Sequence, residues 1–403
     1  MDLKLNTLKN FRLQIPTTIF FGLNEFVRVK KAASATGKKA FIIIGQGSVK
    51  KQGYLKKLED LLDEENIKHE VFEGMEPNPK SKTINKAGQK ASEIGADMVI
   101  ALGGGSVMDG AKGAAIIAKT GGDIWDYCYT KNKKAKKVSI ALPLICIPTL
   151  AATGSEINGG SVITNPDTMQ KSVIHSSAVI PKFAIIDPML TMTVPKSYVV
   201  DGAVDIICHC IEGYISCTEN IAIPDYICLG ITRTVKISLE RILEDEKDLA
   251  ARANLCWSSS MAMMGLFSGR QGGWPMHEIE HALSGIYDVS HGLGLAWLMP
   301  AIMDFNKNNN GEKIKRLVGF FMHENTSYYS DCDTAIEDFR SWLKNIGALR
   351  NLESELKKKI DIEAVAQMTI DIYSNSEGYI FGAVPMYKKD IVLVLEKALN
   401  NKS

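Results

Sequence analysis

The first half of this chain alternates two textures, and that alternation constrains its fold more than any other feature. Lys39-Ala40-Phe41-Ile42-Ile43-Ile44 reads as a buried strand ended by Gly45-Gln46-Gly47-Ser48, and Leu55, Leu58, Leu61 and Leu62 then recur at helical spacing. Lys68 to Phe72 is a second short strand. A loop rich in breakers follows, Glu73-Gly74-Met75-Glu76-Pro77-Asn78-Pro79, before a helix that begins near Ser81. Asp97-Met98-Val99-Ile100-Ala101-Leu102 is a third strand, and Gly103-Gly104-Gly105-Ser106 leads from it into a helix of small residues, Val107 to Lys119. Strands that alternate with helices imply a parallel sheet covered on both faces.

From about Val194 the strand-like runs largely disappear. Helical periodicity takes over, with Val204 to Cys217, Tyr226 to Leu243, Ala250 to Phe267, Thr334 to Leu343 and Ile362 to Ser374 as the main segments. Ile185-Ile186-Asp187-Pro188 reads as the last strand of the first half. The chain has 403 residues, enough for two or three domains at about 150 residues each. The expectation is an α/β domain over residues 1–193 and an all-helical domain over 194–403.

Charge and composition exclude several classes of partner. Lys plus Arg number 47 against 46 Asp plus Glu, a formal charge of +1 that attracts no nucleic acid. Five lysines between Lys131 and Lys137 read as a solvated loop. No segment reaches 18 uninterrupted apolar residues and the start has no signal-like core, so no membrane association and a cytoplasmic address are expected. The eight cysteines form no CxxC pair and read as inert thiols.

Two glycine-bearing turns follow strands. Gly103, Gly104, Gly105 and Ser106, with Asp109 just beyond, sit where a helix begins; glycines let phosphate oxygens approach backbone N–H groups, and the helix dipole favours the negative charge. A tight turn with Ser106 as N-cap is the alternative. The turn matches neither GxGxxG nor the Walker pattern. The second turn, Gly45, Gln46, Gly47 and Ser48, carries no acid to grip ribose hydroxyls and is followed by Lys50 and Lys51, which favours NADP(H) over NAD(H). Thr149, Thr153 and Ser155 are short hydroxyls, with Glu156 beside them, that suit either a cofactor lining or a helix cap. Lys171 and His175 carry no assignment from residue type alone.

Histidine is scarce and clustered. Of seven in the chain, His209, His277, His281 and His291 fall within one stretch, and Asp205 stands four residues before His209. At that spacing two helical side chains share one face. An aspartate with three histidines makes a ligand shell for a divalent transition metal, and Fe²⁺ and Zn²⁺ suit it alike. His277-Glu278-Ile279-Glu280-His281 also matches HExxH, the zinc protease helix, in which Glu278 would be the general base. The longer form of that motif fails at Ser284 and Tyr287.

Taken in order, these segments resemble the iron-dependent (group III) alcohol dehydrogenase family, in its branch of butanol dehydrogenases and NADPH-dependent aldehyde reductases. The resemblance runs from Pro16-Thr17-Thr18-Ile19-Phe20-Phe21-Gly22 through Gly47-Ser48-Val49-Lys50-Lys51, Glu76-Pro77-Asn78-Pro79, Gly103 to Asp109, Ala152-Thr153-Gly154-Ser155-Glu156 and Asp187-Pro188 to the segment His277 to His291. Ala251-Arg252-Ala253-Asn254 and His291-Gly292-Leu293 belong to it too. It implies a dehydroquinate synthase-like architecture, with a dinucleotide-binding domain, a helical metal-binding domain and an active site in the cleft between them. It also implies metal ligation by Asp205, His209, His277 and His291, with Fe²⁺ ahead of Zn²⁺, and proton transfer or substrate contact by His281. The nicotinamide cofactor would lie against Gly103 to Ser106, Asp109, Thr149, Thr153 and Lys171. Gly45 stands where NAD-preferring relatives carry an aspartate, while Gln46 departs from the glycine triplet of close NADP relatives. The implied reaction is hydride transfer between NADP(H) and short-chain alcohols or aldehydes, by a homodimer. A glycerol dehydrogenase or a dehydroquinate synthase-like lyase is the alternative within that superfamily, and the HExxH protease the alternative outside it.

Overall fold

The computed structural model describes residues 10–131, 133–217, 221–266 and 272–400. Asn132, within the lysine-rich loop, and Phe267, at the end of one expected helix, lie outside the described residues. The chain forms two compact units. One comprises Gln14–Pro195 with Lys247–Met264, and the other is built mainly from 196–246 and 265 onward.

The first unit is centred on a six-stranded sheet of β1 (Thr18–Phe21), β2 (Lys39–Ile44), β3 (Lys68–Glu73), β4 (Met98–Gly103), β5 (Leu144–Pro148) and β8 (Phe183–Ile186), in the order β1-β8-β5-β4-β2-β3. Every neighbouring pair is parallel, as the alternation predicts. Because strand side chains alternate, β2, β4 and β5 supply two cores. Phe41, Ile43, Val99, Ala101 and Cys146 face one side, and Ile42, Ile44, Ile100, Leu102, Ile145 and Ile147 the other. Helices α1 (Val29–Ser34), α2 (Ser48–Lys51), α3 (Tyr54–Glu64), α4 (Ser81–Glu93) and α5 (Gly105–Thr120) belong to the same unit. Leu55, Leu58, Leu61 and Leu62 are the buried stripe of α3. An antiparallel hairpin, β6 (Gly160–Asn165) and β7 (Gln170–His175), interrupts the βα pattern before β8; no periodicity announced it.

The second unit holds α6 (Lys196–Ile215), α7 (Ala222–Glu244), α9 (Pro275–Tyr287), α10 (His291–His323), α11 (Cys332–Asn345), α12 (Leu352–Leu356), α13 (Ile362–Tyr373) and α14 (Lys388–Asn400). A two-residue antiparallel pair, β9 (Tyr379–Ile380) with β10 (Met386–Tyr387), is the exception to its helical character. The axis is α6, buried at nearly every position from Val199 to Ile215 and packed against α7 and α10. No helix among the described residues is long and apolar enough to cross a membrane.

The division differs from the expected 1–193 and 194–403 in two respects, since residues 10–13 group with the helical unit and one later helix groups with the sheet unit. Helix α8 (Leu249–Met263) comes from the second half of the sequence but packs in the first unit. Its polar side chains satisfy loop groups there. Ser259 Oγ accepts from the backbone N–H of Ala152 at 3.2 Å and of Gly154 at 3.1 Å, and Ser260 donates to buried Glu156 at 2.5 Å. Helical periodicity reports that a face is buried, not which neighbour buries it.

Helices α4 and α5 approach closely because small residues line their contact. A Cβ on Gly88 would stand 2.5 Å from Ile117 Cβ and 2.9 Å from the Ala114 carbonyl oxygen. Gly88→Ala should therefore cost about 1–3 kcal/mol, the usual range for overpacking, read as a lowered midpoint in urea denaturation with an unchanged m-value.

Candidate active site

Three helices bring the clustered ligand types together. Asp205 and His209 lie one turn apart on α6, His277 is in the first turn of α9, and His291 is the first residue of α10. Around the Oδ1 atom of Asp205 stand the Nε2 atoms of His209 at 3.7 Å, His277 at 3.7 Å and His291 at 3.6 Å. Donor atoms of Asp205, His277 and His291 all lie within 4.8 Å of one another, and the His209 ring stacks on that of His277 with centroids 4.7 Å apart. Ligand atoms held about 2.1 Å from a tetrahedral ion are about 3.4 Å apart, close to this spacing. Asp205 Oδ1 and His277 Nε2 are buried without a hydrogen-bond partner among the described residues. Orphaned polar atoms of this kind are costly in an interior, and a divalent ion would satisfy both. The residues present thus fit a metal.

Two buried glutamates orient the rings. Glu212, on α6, accepts a hydrogen bond from Nδ1 of His277 and another from the Met276 backbone N–H. Glu280, on α9, accepts from Nδ1 of His291 and from the Ser284 hydroxyl. Each fixes a tautomer that presents Nε2 to the common point, the carboxylate–histidine arrangement of many metal sites. Burial by itself would raise the Asp205 carboxyl, but the surrounding His209, His291 and His277 hold it below the ordinary carboxylate range. Burial pushes His209 down to about 3, so it is a neutral imidazole at pH 7. Burial opposes charge on His277 as well, yet Glu212 and Asp205 outweigh it and raise that ring to about 10. Three buried carboxylates thus favour positive charge at this point.

Close packing sets the positions. A Cβ on Gly292 would come within 2.2 Å of the Asp201 carbonyl oxygen on α6, and one on Gly294 within 2.9 Å of Glu280 Cγ. These glycines let the start of α10 lie directly on its neighbours. Asp201 ties the same helix start by accepting from Ser290 at 2.6 Å and from Arg350 at 2.8 Å.

His281 lies one turn beyond His277 and is held differently. Its Nδ1 is 2.7 Å from the Tyr373 hydroxyl on α13, and its ring stacks with that of His291 at 5.8 Å. This arrangement does not favour the HExxH protease reading. The rings that meet His277 at Asp205 Oδ1 belong to His209 and His291, and the acid of that motif that stands behind one of these rings is Glu280, not Glu278. Glu278 is pushed up to about 8, first by burial and then by Glu212, which leaves it largely protonated at neutral pH rather than poised as a base.

In the sheet unit, the turns lie at the carboxyl ends of adjacent strands, the usual ligand position in an open α/β sheet. Gly103 closes β4 opposite Pro148 of β5, and Thr149 N–H donates to the Gly103 carbonyl at 3.0 Å. Gly104 is the N-cap of α5 and makes no side-chain cap, so Ser106 lies inside the first turn and is not the cap. A Cβ on Gly105 would stand 2.4 Å from Thr153 Cγ2, which places Thr153 against the helix start. The other turn is beside it. Val107 would touch a Cβ at Gly103 at 2.6 Å and one at Gly45 at 3.5 Å. Gly45, Gln46, Gly47, Ser48, Gly103, Gly104, Gly105, Ser106, Thr149 and Thr153 therefore border one end of the sheet.

Asp109 and Lys171 are placed otherwise. Asp109 is buried on α5, accepting from Ser155 at 2.5 Å and from the Val162 N–H at 2.9 Å, so it anchors the hairpin and the loop. Lys171 is buried on β7 and donates to Asn78 at 3.0 Å. Sequence reading missed Lys112, which is fully buried and donates to Ser155 and the Gly160 carbonyl, both at 2.7 Å. Burial lowers its pKa and raises that of Asp109. Lys50 forms an ion pair with Glu73, the last residue of β3.

The sequence profile described as iron-containing alcohol dehydrogenase matches residues 16–188, and that of the Fe-containing alcohol dehydrogenase family, C-terminal, matches residues 199–399. The chain belongs to the iron-containing alcohol dehydrogenase family. It is 33% identical over 395 residues to NADH-dependent butanol dehydrogenase A of Clostridium acetobutylicum, covering 96% of this chain and 99% of that one. To NADPH-dependent aldehyde reductase YqhD of Escherichia coli it is 32% identical over 351 residues, covering 86% and 89%. The crystal structure of NADH-dependent butanol dehydrogenase A from Thermotoga maritima superposes with a TM-score of 0.91 at 33% identity, covering 97% of this chain and 99% of that one.

As an iron-containing alcohol dehydrogenase the chain is an oxidoreductase with the family's dehydroquinate synthase-like fold, and the family implies a metal and a nicotinamide coenzyme. Glu212, Glu280 and Tyr373 are hydrogen-bonded to histidines that are 65, 11 and 92 residues away in sequence. Only Glu280 had a local signal, as the second acid of His277-Glu278-Ile279-Glu280-His281. Glu212→Gln and Glu280→Gln should each weaken metal binding about 10–100-fold while leaving the fold intact, measured by competition with a chromophoric chelator and checked by circular dichroism.

Proposed function

We propose that this member of the iron-containing alcohol dehydrogenase family transfers a hydride between a nicotinamide coenzyme and short-chain alcohols or aldehydes, with Asp205, His209, His277 and His291 as metal ligands. The observation that carries this reading is the convergence of three imidazole nitrogens on one orphaned carboxylate oxygen, with Glu212 and Glu280 behind two of the rings. A divalent ion, Fe²⁺ ahead of Zn²⁺, would supply Lewis acidity toward a substrate oxygen when bound. The chain's own residues do the rest. Gly104 leaves the backbone open at the start of α5, where N–H groups and the helix dipole suit a pyrophosphate, while Gly103 and Gly105 let Val107 and Thr153 pack against it; Ser106, Thr149 and Thr153 offer hydroxyls beside it. Asp109 and Lys112 hold the loop that carries Thr153 and Ser155 in position, and Lys171 steadies the Asn78 turn.

His281 moves the proton. With Nδ1 engaged by Tyr373, its Nε2 is the atom that would exchange a proton with a substrate oxygen, and the residue lies next to the proposed ligand His291. Of the two coenzymes, NADP(H) is supported by a turn at Gly45 to Ser48 with no acid of its own, and opposed by Glu73 beside it. The similar relatives include a butanol dehydrogenase named as NADH-dependent and an aldehyde reductase named as NADPH-dependent. A cytoplasmic address is supported by eight cysteines none of which is in a disulfide among the described residues, and a homodimer by the family resemblance alone.

The test is to follow reduced nicotinamide absorbance with butanal as substrate, under Fe²⁺ and Zn²⁺ in turn, with NADPH and with NADH. Oxidation of the coenzyme that needs both aldehyde and ion, and stops on chelation, is the expected result. Casein cleavage without nicotinamide binding would instead return the HExxH reading. His281→Ala should lower kcat about 10²–10⁴-fold with metal content retained; full turnover and an unchanged pH profile would remove its proton role.

A further inference from the structure

We infer that Glu73 selects the coenzyme: its carboxylate accepts the adenosine 2′-hydroxyl of NAD(H) and repels the 2′-phosphate of NADP(H). This rests on the reading of the two glycine-bearing turns as the nucleotide site. In a dinucleotide fold the acid that grips the ribose usually ends the strand next to the glycine-rich one. Here that strand is β2, neighbour of β4, and its end carries only Gly45-Gln46-Gly47-Ser48. The acid is supplied by β3, one strand further out. Glu73 is in register with Ile44, the last residue of β2.

The chain beyond Glu73 is tied to the same turn. Gly74 N–H donates to the Gly45 carbonyl and Met75 N–H to the Ile44 carbonyl, both at 3.1 Å. Gly47, at φ 97°, is in the left-handed region, and a Cβ there would lie 3.2 Å from Glu73 Oε1. The carboxylate therefore borders the bare backbone of the turn, with its side chain 42% exposed and open to a ligand. Lys50, which in sequence promised attraction for a phosphate, is the ion-pair partner of Glu73. A phosphate arriving there would face the Glu73 carboxylate and find Lys50 already engaged by it, whereas a hydroxyl would still find acceptor lone pairs on the carboxylate. Lys51 is exposed and adds positive charge nearby, which makes the preference a ratio and not an exclusion.

The experiment compares binding of ADP-ribose and 2′-phospho-ADP-ribose by calorimetry to the zinc-loaded full-length protein and to its E73Q and K50Q variants, alongside kcat/KM for NADH and NADPH. The unsubstituted protein should bind ADP-ribose more tightly. Glu73→Gln should move both ratios about tenfold toward the phosphorylated form, because a like charge has been removed, and Lys50→Gln should move them the other way. If both nucleotides bind and Glu73→Gln leaves their ratio unchanged, Glu73 is not the selector, while the nucleotide site stands. If neither nucleotide binds to protein that keeps its thermal midpoint, the nucleotide-site reading fails and the selector falls with it.

Discussion

One buried carboxylate oxygen organises the helical unit. Asp205 Oδ1 sits within 3.7 Å of three imidazole nitrogens, and two further buried glutamates stand behind the rings. Charges taken out of water are costly unless each has a partner, so this concentration of acids and histidines specifies where α6, α9 and α10 meet. The backbone follows that demand. Gly292 and Gly294 remove the side chains that would hold α10 away, and Asp201 clamps its first residues through Ser290 and Arg350.

The glycine-bearing turns of the sheet unit depend on close packing rather than on concentrated charge. At Gly103 and Gly105 the absence of a side chain lets Val107 and Thr153 fill the space a Cβ would take. Rigidity comes from below. Lys112, Asp109 and Ser155 form a fully internal network that stitches α5 to the loop after β5 and to the hairpin. A buried lysine and a buried aspartate are tolerable there because each offsets the other's charge and both are hydrogen-bonded.

Much of this was legible in the residues. Runs such as Phe41 to Ile44 and Val99 to Leu102 are apolar at every position because both faces of the sheet are covered, and that continuity marks a parallel sheet. The spacing of Asp205 and His209 marked one helix face. What escaped were features with no local period. The hairpin β6–β7 has strands of mixed burial, and α8 has a helical pattern that says nothing of which unit receives it. The acid-free turn at Gly45 to Ser48 was correctly read as a sequence, yet Glu73 reaches it from a different strand.

The sequence by itself determined the alternating architecture, the two glycine-bearing turns and the set of ligand types, because these depend on residue chemistry repeated at short range. Tertiary structure alone decided the partners. It put Glu212 behind His277, Glu280 behind His291, Tyr373 against His281 and Glu73 beside Gly47. Each of those pairings joins two elements whose contact is set by core packing, and in a hydrogen bond or an ion pair the energy depends on distance in space, to which separation along the chain is no guide.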